Sequence, residues 1–102
     1  MNDIPDRAAV QHALSSVVDP ELGLAITDLG LVRAIELVPG RCWVDLTMTS
    51  AACPQGDLIA EEAAEALRRA LGPEVDCRVK LVWDPPWTPD DLSGVARSLL
   101  QG

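Results

Sequence analysis

Strict alternation between apolar and polar side chains from Arg41 to Met48 restricts the possible folds more than any other feature of the sequence. The apolar positions are Cys42, Val44, Leu46 and Met48, and the intervening ones are Arg41, Trp43, Asp45 and Thr47. Because successive side chains of a strand point to opposite faces, this pattern predicts a strand with one buried face and a more polar face that leaves Trp43 half exposed. The stretch Leu31 to Val38 precedes it, and Pro39-Gly40 between them supplies the dihedrals of a tight turn. We therefore expect a two-stranded hairpin.

Two segments have the periodicity of helices. From Asp6 to Val18 and from Gln55 to Leu71, apolar residues recur every three or four positions, as on the buried face of a helix. These residues are Val10, Ala13, Leu14 and Val17 in the first segment and Ile59, Ala63, Leu67 and Ala70 in the second. Asp19-Pro20 and Gly72-Pro73 are expected to end the two helices. His12 falls on the opposite face of the first helix, so we assign it no function.

The rest of the chain predicts a third strand and a third helix. Asp76 to Trp83 alternates again, with Cys77, Val79, Leu81 and Trp83 on one face. Thr88 offers an N-cap hydroxyl and Pro89 suits the first helical position, so a final helix is expected to begin there. That helix would bury Leu92, Val95, Ala96 and Leu99.

These elements predict one domain, residues 1–102, because a chain of 102 residues is too short to bury two cores. The predicted order is helix, strand, strand, helix, strand, helix. The fold class is α/β, in the form of an α+β two-layer fold whose small mixed sheet of about three strands is covered by helices.

Charge and cysteine content limit the function classes. The net charge of -8, without a cluster of Lys and Arg, argues against binding to nucleic acid. Charges interrupt the apolar stretches well short of the roughly 20 residues that cross a bilayer. The first residues lack the basic start and apolar run of a secretory signal. An odd count of three cysteines fits a reducing compartment, so we expect a cytoplasmic protein with protein partners.

Cys53 is the residue to which we assign chemistry. It follows a strand and small residues, and Pro54 after it suits the first position of a helix. Cys53 would then be the N-cap, where free backbone N–H groups and the helix dipole favour a nucleophilic, metal-binding thiolate with a lowered pKa. Thr49 or Ser50 could donate hydrogen bonds to whatever binds there. The alternative is that Cys53 simply occupies a loop.

The other two cysteines, Cys42 and Cys77, fall on the apolar faces of their strands and are expected in the core. Without a second exposed thiol, one chain cannot supply the four ligands of a closed zinc or iron-sulfur site. A cluster at Cys53 would therefore be shared, either within a homodimer or with a client protein or a small thiol.

Two segments rich in turn residues have open interpretations. Asp28 either approaches the Cys53 thiol and tunes it or, like Asp19, makes Asx turns and caps backbone N–H groups. The segment Trp83-Asp84-Pro85-Pro86-Trp87-Thr88-Pro89 is stiffened by three prolines. It is either a partner-binding surface formed by Trp83, Asp84 and Trp87 or a rigid elbow with both indoles packed on the core.

Four motifs follow one another along the chain. They are Asp19-Pro20-Glu21, Asp28-Leu29-Gly30-Leu31, Thr47-x-Thr49-x-x-x-Cys53-Pro54 and Trp83-Asp84-Pro85-Pro86-Trp87-Thr88-Pro89. Together they resemble the iron-sulfur cluster assembly domain family of SufT-like and PaaD-like proteins. The resemblance implies a compact α/β domain, often dimeric, that helps to mature or deliver iron-sulfur clusters. It maps the reactive cysteine of that family onto Cys53 and its loop acid onto Asp28.

The function that the resemblance implies is a non-enzymatic maturation factor. Cys53 would bind or transfer iron, sulfide or a transient iron-sulfur cluster to client or scaffold proteins. One alternative is a PaaD-like accessory protein for an aromatic-CoA oxygenase, but such proteins usually add a cysteine-rich segment that this sequence, up to Gly102, does not show. A second is a thiol redox or persulfide relay, which needs a resolving cysteine near Cys53. A third is an interaction module that keeps its function after Cys53→Ser.

Overall fold

The computed structural model describes residues 4–20, 22–49, 56–84 and 86–101, with the backbone alone at residues 89, 95 and 99–101. The elements in chain order are helix α1 (Arg7–Ser15), strands β1 (Val18–Asp19), β2 (Leu24–Ala25), β3 (Val32–Val38) and β4 (Arg41–Leu46), helix α2 (Gly56–Leu71), strand β5 (Asp76–Leu81), a 3₁₀ turn (Pro89–Asp91) and helix α3 (Gly94–Gln101). This confirms the predicted order of helices and long strands. The sequence did not predict the short hairpin of β1 and β2.

The main sheet has the order β3-β4-β5. Strand β3 pairs with β4 in the antiparallel direction and β4 pairs with β5 in the parallel direction, so the predicted mixed sheet is confirmed. Parallel neighbours need a crossover connection, and α2 provides it. Helix α2 packs on β5 and α1 packs on α2. Since β4 and β5 run in the same direction, the chain leaves both strands at the same end of the sheet.

The apolar face of β4 forms the centre of the core. Its predicted members, Cys42, Val44, Leu46 and Met48, are all buried. So are Val10, Ala13, Leu14 and Val17 from the first segment and Ile59, Ala63 and Leu67 from α2. Trp43 on the opposite face is 36% exposed, as predicted, and the guanidinium carbon of Arg41 lies 4.4 Å from the centroid of its ring. No helix among the described residues is long and apolar enough to span a membrane.

Three predicted boundaries or faces are wrong. Helix α1 ends at Ser15 because the hydroxyls of Ser15 and Ser16 donate to the carbonyls of His12 and Ala13, which favours a helix end. Ala70 has the angular position of the buried face but lies in the last turn of α2, where it is exposed. Strand β5 ends at Leu81, so Trp83 leaves the apolar face and is 45% exposed.

The last helix begins later than predicted. The Asp91 N–H donates to the Thr88 carbonyl at 2.9 Å, so this segment closes a single 3₁₀ turn instead of the first turn of an α-helix. Ser93 is the N-cap, since its hydroxyl accepts from the Ala96 N–H at 3.1 Å. Ala96 is buried and Leu92 packs against the core, as predicted. The side chains of Val95 and Leu99 lie outside the described residues.

Candidate functional site

Separate parts of the chain meet where β4 and β5 end. The Thr47 N–H donates to the Leu31 carbonyl at 2.8 Å, so the entry to β3 lies beside the exit from β4. The Val82 N–H donates to the Leu46 carbonyl at 2.7 Å, so the exit from β5 lies there too. We call this edge, formed by residues 28–31, 47–49 and 82–84, the site end of the sheet. Three of the four motifs that carry the family resemblance therefore have described residues at one place.

The described residues of the segment after β5, 83–84 and 86–91, fold back onto the site end and are called the elbow. The indole N–H of Trp87 donates to the Leu29 carbonyl at 2.6 Å, and the ring packs against the core. Nη2 of Arg33 donates to the Pro86 carbonyl at 3.1 Å and to Asp91 Oδ2 at 3.2 Å. Arg33 lies where the register of β3 shifts against β4, and such a bulge re-aims a side chain. The elbow is thus tied to β3 and to the loop before it.

Asp91 and Gly30 fix the far end of the elbow. The Asp91 carboxylate accepts from the Thr88 N–H at 2.9 Å, and this bond together with the one from Arg33 holds the pKa of Asp91 below its ordinary value. Gly30 has a φ of 73°, and a Cβ atom there would overlap the Asp91 carbonyl. Only glycine allows this close approach. Sequence reasoning missed Arg33 and Asp91, because no local pattern links residues 58 positions apart.

Asp28 binds the cap of the last helix. Its Oδ1 accepts from the Ser93 hydroxyl at 3.0 Å, and its carbonyl accepts from the Ser93 N–H at 2.7 Å. Asp19 accepts from the Leu22 N–H at 3.3 Å, as in an Asx turn. The expected capping of a backbone N–H is confirmed for Asp19, whereas the Asp28 carboxylate accepts from a side-chain hydroxyl instead. Whether Asp28 also approaches the Cys53 thiol stays a prediction, because Cys53 and Ser50 lie outside the described residues.

The nearest described residues before and after Cys53 are Thr49 and Gly56, and both lie by the site end. Thr49 is half-buried just beyond β4. Gly56, the first residue of α2, is so close to the two strands that a Cβ atom would lie 3.2 Å from Met48 Cγ and 3.4 Å from Leu81 Cδ1. The start of α2 therefore packs closely against the ends of β4 and β5.

The hydroxyl of Thr47 is a further feature that sequence reasoning missed. Thr47 is 1% exposed, and its Oγ1 has no hydrogen-bond partner among the described residues. A buried hydroxyl without a partner is unfavourable, by about 1–3 kcal/mol in mutational data. The alternation along β4 placed Thr47 on the polar face, which gave no sign that it would be enclosed.

The described thiols are core residues, as predicted. Cys42 and Cys77 are directly opposite each other on β4 and β5 and are 0% and 5% exposed. Burial, and secondarily the neighbouring Cys77 thiol, raises the pKa of Cys42 to about 11. Burial also raises the pKa of Cys77. Both are therefore neutral thiols near pH 7, and no cluster of three or more metal-binding side chains occurs among the described residues.

The elbow separates the two tryptophans that the sequence grouped together. Trp87 is anchored by its bond to Leu29, so the rigid-elbow interpretation is confirmed for this indole. Trp83 and Asp84 are exposed at the site end. A partner-binding role stays a prediction for Trp83, Asp84 and Trp87.

Residues 7–81, which contain β3, β4, α2 and β5, match the family described as iron-sulfur cluster assembly protein. The chain belongs to this family. It is 43% identical to the Fe-S protein maturation auxiliary factor YitW of Bacillus subtilis over 93 residues. This alignment covers 89% of each chain. It is also 43% identical over 86 residues to the Fe-S protein maturation auxiliary factor SufT of Staphylococcus aureus, covering 82% of this chain and 96% of that one.

The fold is shared as well. A crystallised domain of unknown function from Bacillus anthracis superposes with a TM-score of 0.85 at 33% identity, over 92% of this chain and 90% of that one. The family resemblance seen in the motifs is therefore confirmed by both sequence and structure.

Proposed function

We propose that this protein is a carrier-type factor of iron-sulfur cluster maturation, in which Cys53 binds iron, sulfide or a cluster in transit and passes it to a client protein. The observation that carries the proposal is the convergence of three family motifs at the site end of the sheet. Cys53 is four residues from Thr49 and three from Gly56 in the sequence, and both of these residues lie there. The names of the relatives support a role in maturation.

Cys53 is the thiol suited to this chemistry because the others are not. A metal ligand must be a thiolate, and Cys42 with a pKa of about 11 is a neutral thiol near pH 7. One cysteine leaves most of the coordination positions of iron to other ligands. Cargo held in this way would be completed by a second copy or by the client, and it would be easy to release. Transfer without turnover follows from such shared coordination, so we propose no enzymatic step.

The Thr47 hydroxyl is the described group best suited to assist. It lacks a hydrogen-bond partner among the described residues and precedes Thr49 on the same strand exit. Sulfur ligands of clusters accept hydrogen bonds, and such bonds tune cluster properties. We propose that Thr47 and Thr49, with Ser50, form the polar side of the cargo site. Trp83 and Asp84, exposed at the same end, are proposed to contact the client in the cytoplasm.

The test is anaerobic reconstitution with iron and sulfide, followed by visible absorbance and bound iron per chain. Wild type is compared with Cys53→Ser and with the matched controls Cys42→Ala and Cys77→Ala. We expect wild type and both controls to gain the chromophore and Cys53→Ser to lack it. A Cys53→Ser variant that binds as much iron as wild type would refute the assignment. Iron binding by none of them would mean that the protein does not carry iron itself.

A further inference from the structure

The two outer strands of the main sheet differ in how their free edges are protected. A free edge exposes backbone N–H and C=O groups and invites pairing with another strand, so proteins usually cover or interrupt it. Strand β3 has both protections. Nη2 of Arg7 donates to the Ile35 carbonyl at 3.5 Å, and the register shift at Arg33 interrupts the regular pairing of the strand. Strand β5 pairs with β4 through six residues without a register shift.

The pairing of β5 with β4 shows which of its backbone groups face outward. The Asp76 N–H donates to the Gly40 carbonyl at 2.9 Å and the Val82 N–H donates to the Leu46 carbonyl at 2.7 Å, so even-numbered residues bond to β4. Alternation then directs the backbone N–H and C=O groups of Cys77, Val79 and Leu81 to the outer edge. Among the described residues, no strand pairs with that edge.

An open groove runs beside this edge, between β5 and α2. Its walls are formed by Ala60, Glu61, Ala64 and Arg68 of α2 and by Cys77, Arg78 and Val79 of β5, and its volume is about 450 Å³. Two alanines on one face of the helix leave room for side chains of an added strand. Small or aliphatic side chains would suit the part of the groove formed by Cys77 and the two alanines, whereas Glu61 and Arg68 make the rest of its wall polar.

The side chains on the other face of β5 indicate which charge a bound segment should carry. Arg78 and Lys80 occupy the middle of the strand and both are exposed; Arg78 pairs with Asp76 at 3.2 Å, and Lys80 lies opposite Asp45 of β4, so an added strand would meet them from the free side. Side chains of an added strand would alternate between the groove and this basic pair. Acidic side chains beside Arg78 and Lys80 would be favourable, as cross-strand pairs of opposite charge are.

We propose that the outer edge of β5 binds an extended segment of a partner protein by strand addition, and that this segment alternates aliphatic and acidic residues. Backbone bonds to Cys77, Val79 and Leu81 would hold it, as in other cases of strand addition. Strand β5 ends at the site end, next to Trp83. One end of the bound segment would therefore lie beside the cargo site. The inference rests on the proposed function only in taking the partner to be a client.

The test uses ¹⁵N-labelled full chain and a blocked octapeptide of alternating valine and glutamate, with a valine and lysine peptide as the control. We expect the amides of Cys77, Val79 and Leu81 to exchange freely before the peptide is added and to shift and become protected afterwards. Arg78 and Lys80 amides should be protected throughout. Lys80→Glu should weaken binding of the glutamate peptide by about threefold or more, since one favourable pair is replaced by a repulsive one.

A backbone test complements the charge test. Val79→Pro removes an outward N–H and should abolish binding, whereas Val79→Ala keeps that N–H and should bind within about threefold of wild type. If Val79→Pro does not fold, Lys80→Glu and Arg78→Glu decide the question. Outer amides already protected in the free protein, or equal affinity for both peptides, would overturn the inference. So would protection that grows with protein concentration alone, since the occupant would then be a second copy. Iron reconstitution is scored separately, so the two proposals can fail independently.

Discussion

Replacing Gly30 by alanine tests whether the elbow is held by its close approach to the loop before β3. Two effects act at this position. The φ of 73° is unfavourable for alanine by about 1–2 kcal/mol, partly offset by a loss of unfolded-state entropy worth about 0.4–1 kcal/mol. In addition, the new Cβ would overlap the Asp91 carbonyl, with the Asp91 carbonyl carbon at 2.7 Å. Backbone atoms cannot rotate away, so the overlap adds about 1–3 kcal/mol, as overpacking does.

Gly23 provides a matched control. Its φ is 69°, and apart from its chain neighbours no atom of the described residues lies within 4 Å of the position of a Cβ there. Gly23→Ala therefore reports the conformational effect alone, and the difference between the two variants isolates the contact with Asp91. We expect Gly30→Ala to be less stable than Gly23→Ala by about 1–3 kcal/mol. For a domain of this size each kcal/mol lowers Tm by about 4–8 °C.

The measurement is urea unfolding followed by circular dichroism, with thermal unfolding as a second readout. Both variants should retain the slope of wild type, so that the change lies in the midpoint. Equal stability of Gly30→Ala and Gly23→Ala would refute the argument, since it would mean that the elbow moves away from Gly30 without loss.

Three further predictions concern the same region. Trp87→Phe removes the indole donor to the partly buried Leu29 carbonyl and should lower the free energy of unfolding by about 1–3 kcal/mol, whereas Trp83→Phe should change it by less than about 0.5 kcal/mol in the same denaturation assay. Because the folded-state pKa of Asp91 is lowered, its contribution to stability is present above the ordinary value of 3.8 and is lost as pH falls further. Asp91→Asn should therefore make the free energy of unfolding fall less steeply as the pH is lowered in the acid range. An unchanged acid dependence would contradict the assignment. Thr47→Val should leave the free energy of unfolding unchanged or raise it by up to about 1–2 kcal/mol, because the enclosed hydroxyl has no partner among the described residues. The same variant should bind less iron on reconstitution. Marked destabilisation would show that the hydroxyl has a partner within the fold.

The sequence predicted the sheet and the two long helices because each buries one face. Strict alternation around Val44 and the helical spacing of Ile59, Ala63 and Leu67 reflect a single core, and local pattern is enough to detect it. Boundaries were less predictable. Ser16 ended α1 early through its own hydroxyl, and Ser93 rather than Thr88 capped α3, because two equally plausible caps lie five residues apart.

The candidate site was predictable in its motifs but not in its contacts. The motifs drew attention to Asp28 and Trp87, and both make long-range hydrogen bonds in the structure. The partners of Asp28 and Trp87, which are Ser93 and Leu29, could not be predicted, because the tertiary fold and not the neighbouring sequence brings them together. The enclosure of Thr47 likewise depends on what folds over the strand end, which alternation along β4 cannot show.

The contacts that close the elbow join residues far apart in the chain. Leu29 and Trp87 are separated by 58 residues, and Asp28 and Ser93 by 65. During synthesis, β3, β4 and α2 leave the ribosome well before these partners do. A growing chain can therefore assemble most of its sheet while the Leu29 carbonyl and the Asp28 carboxylate still face water. The elbow would therefore close last, once Trp87 and Ser93 have been made, onto a sheet that is already largely assembled.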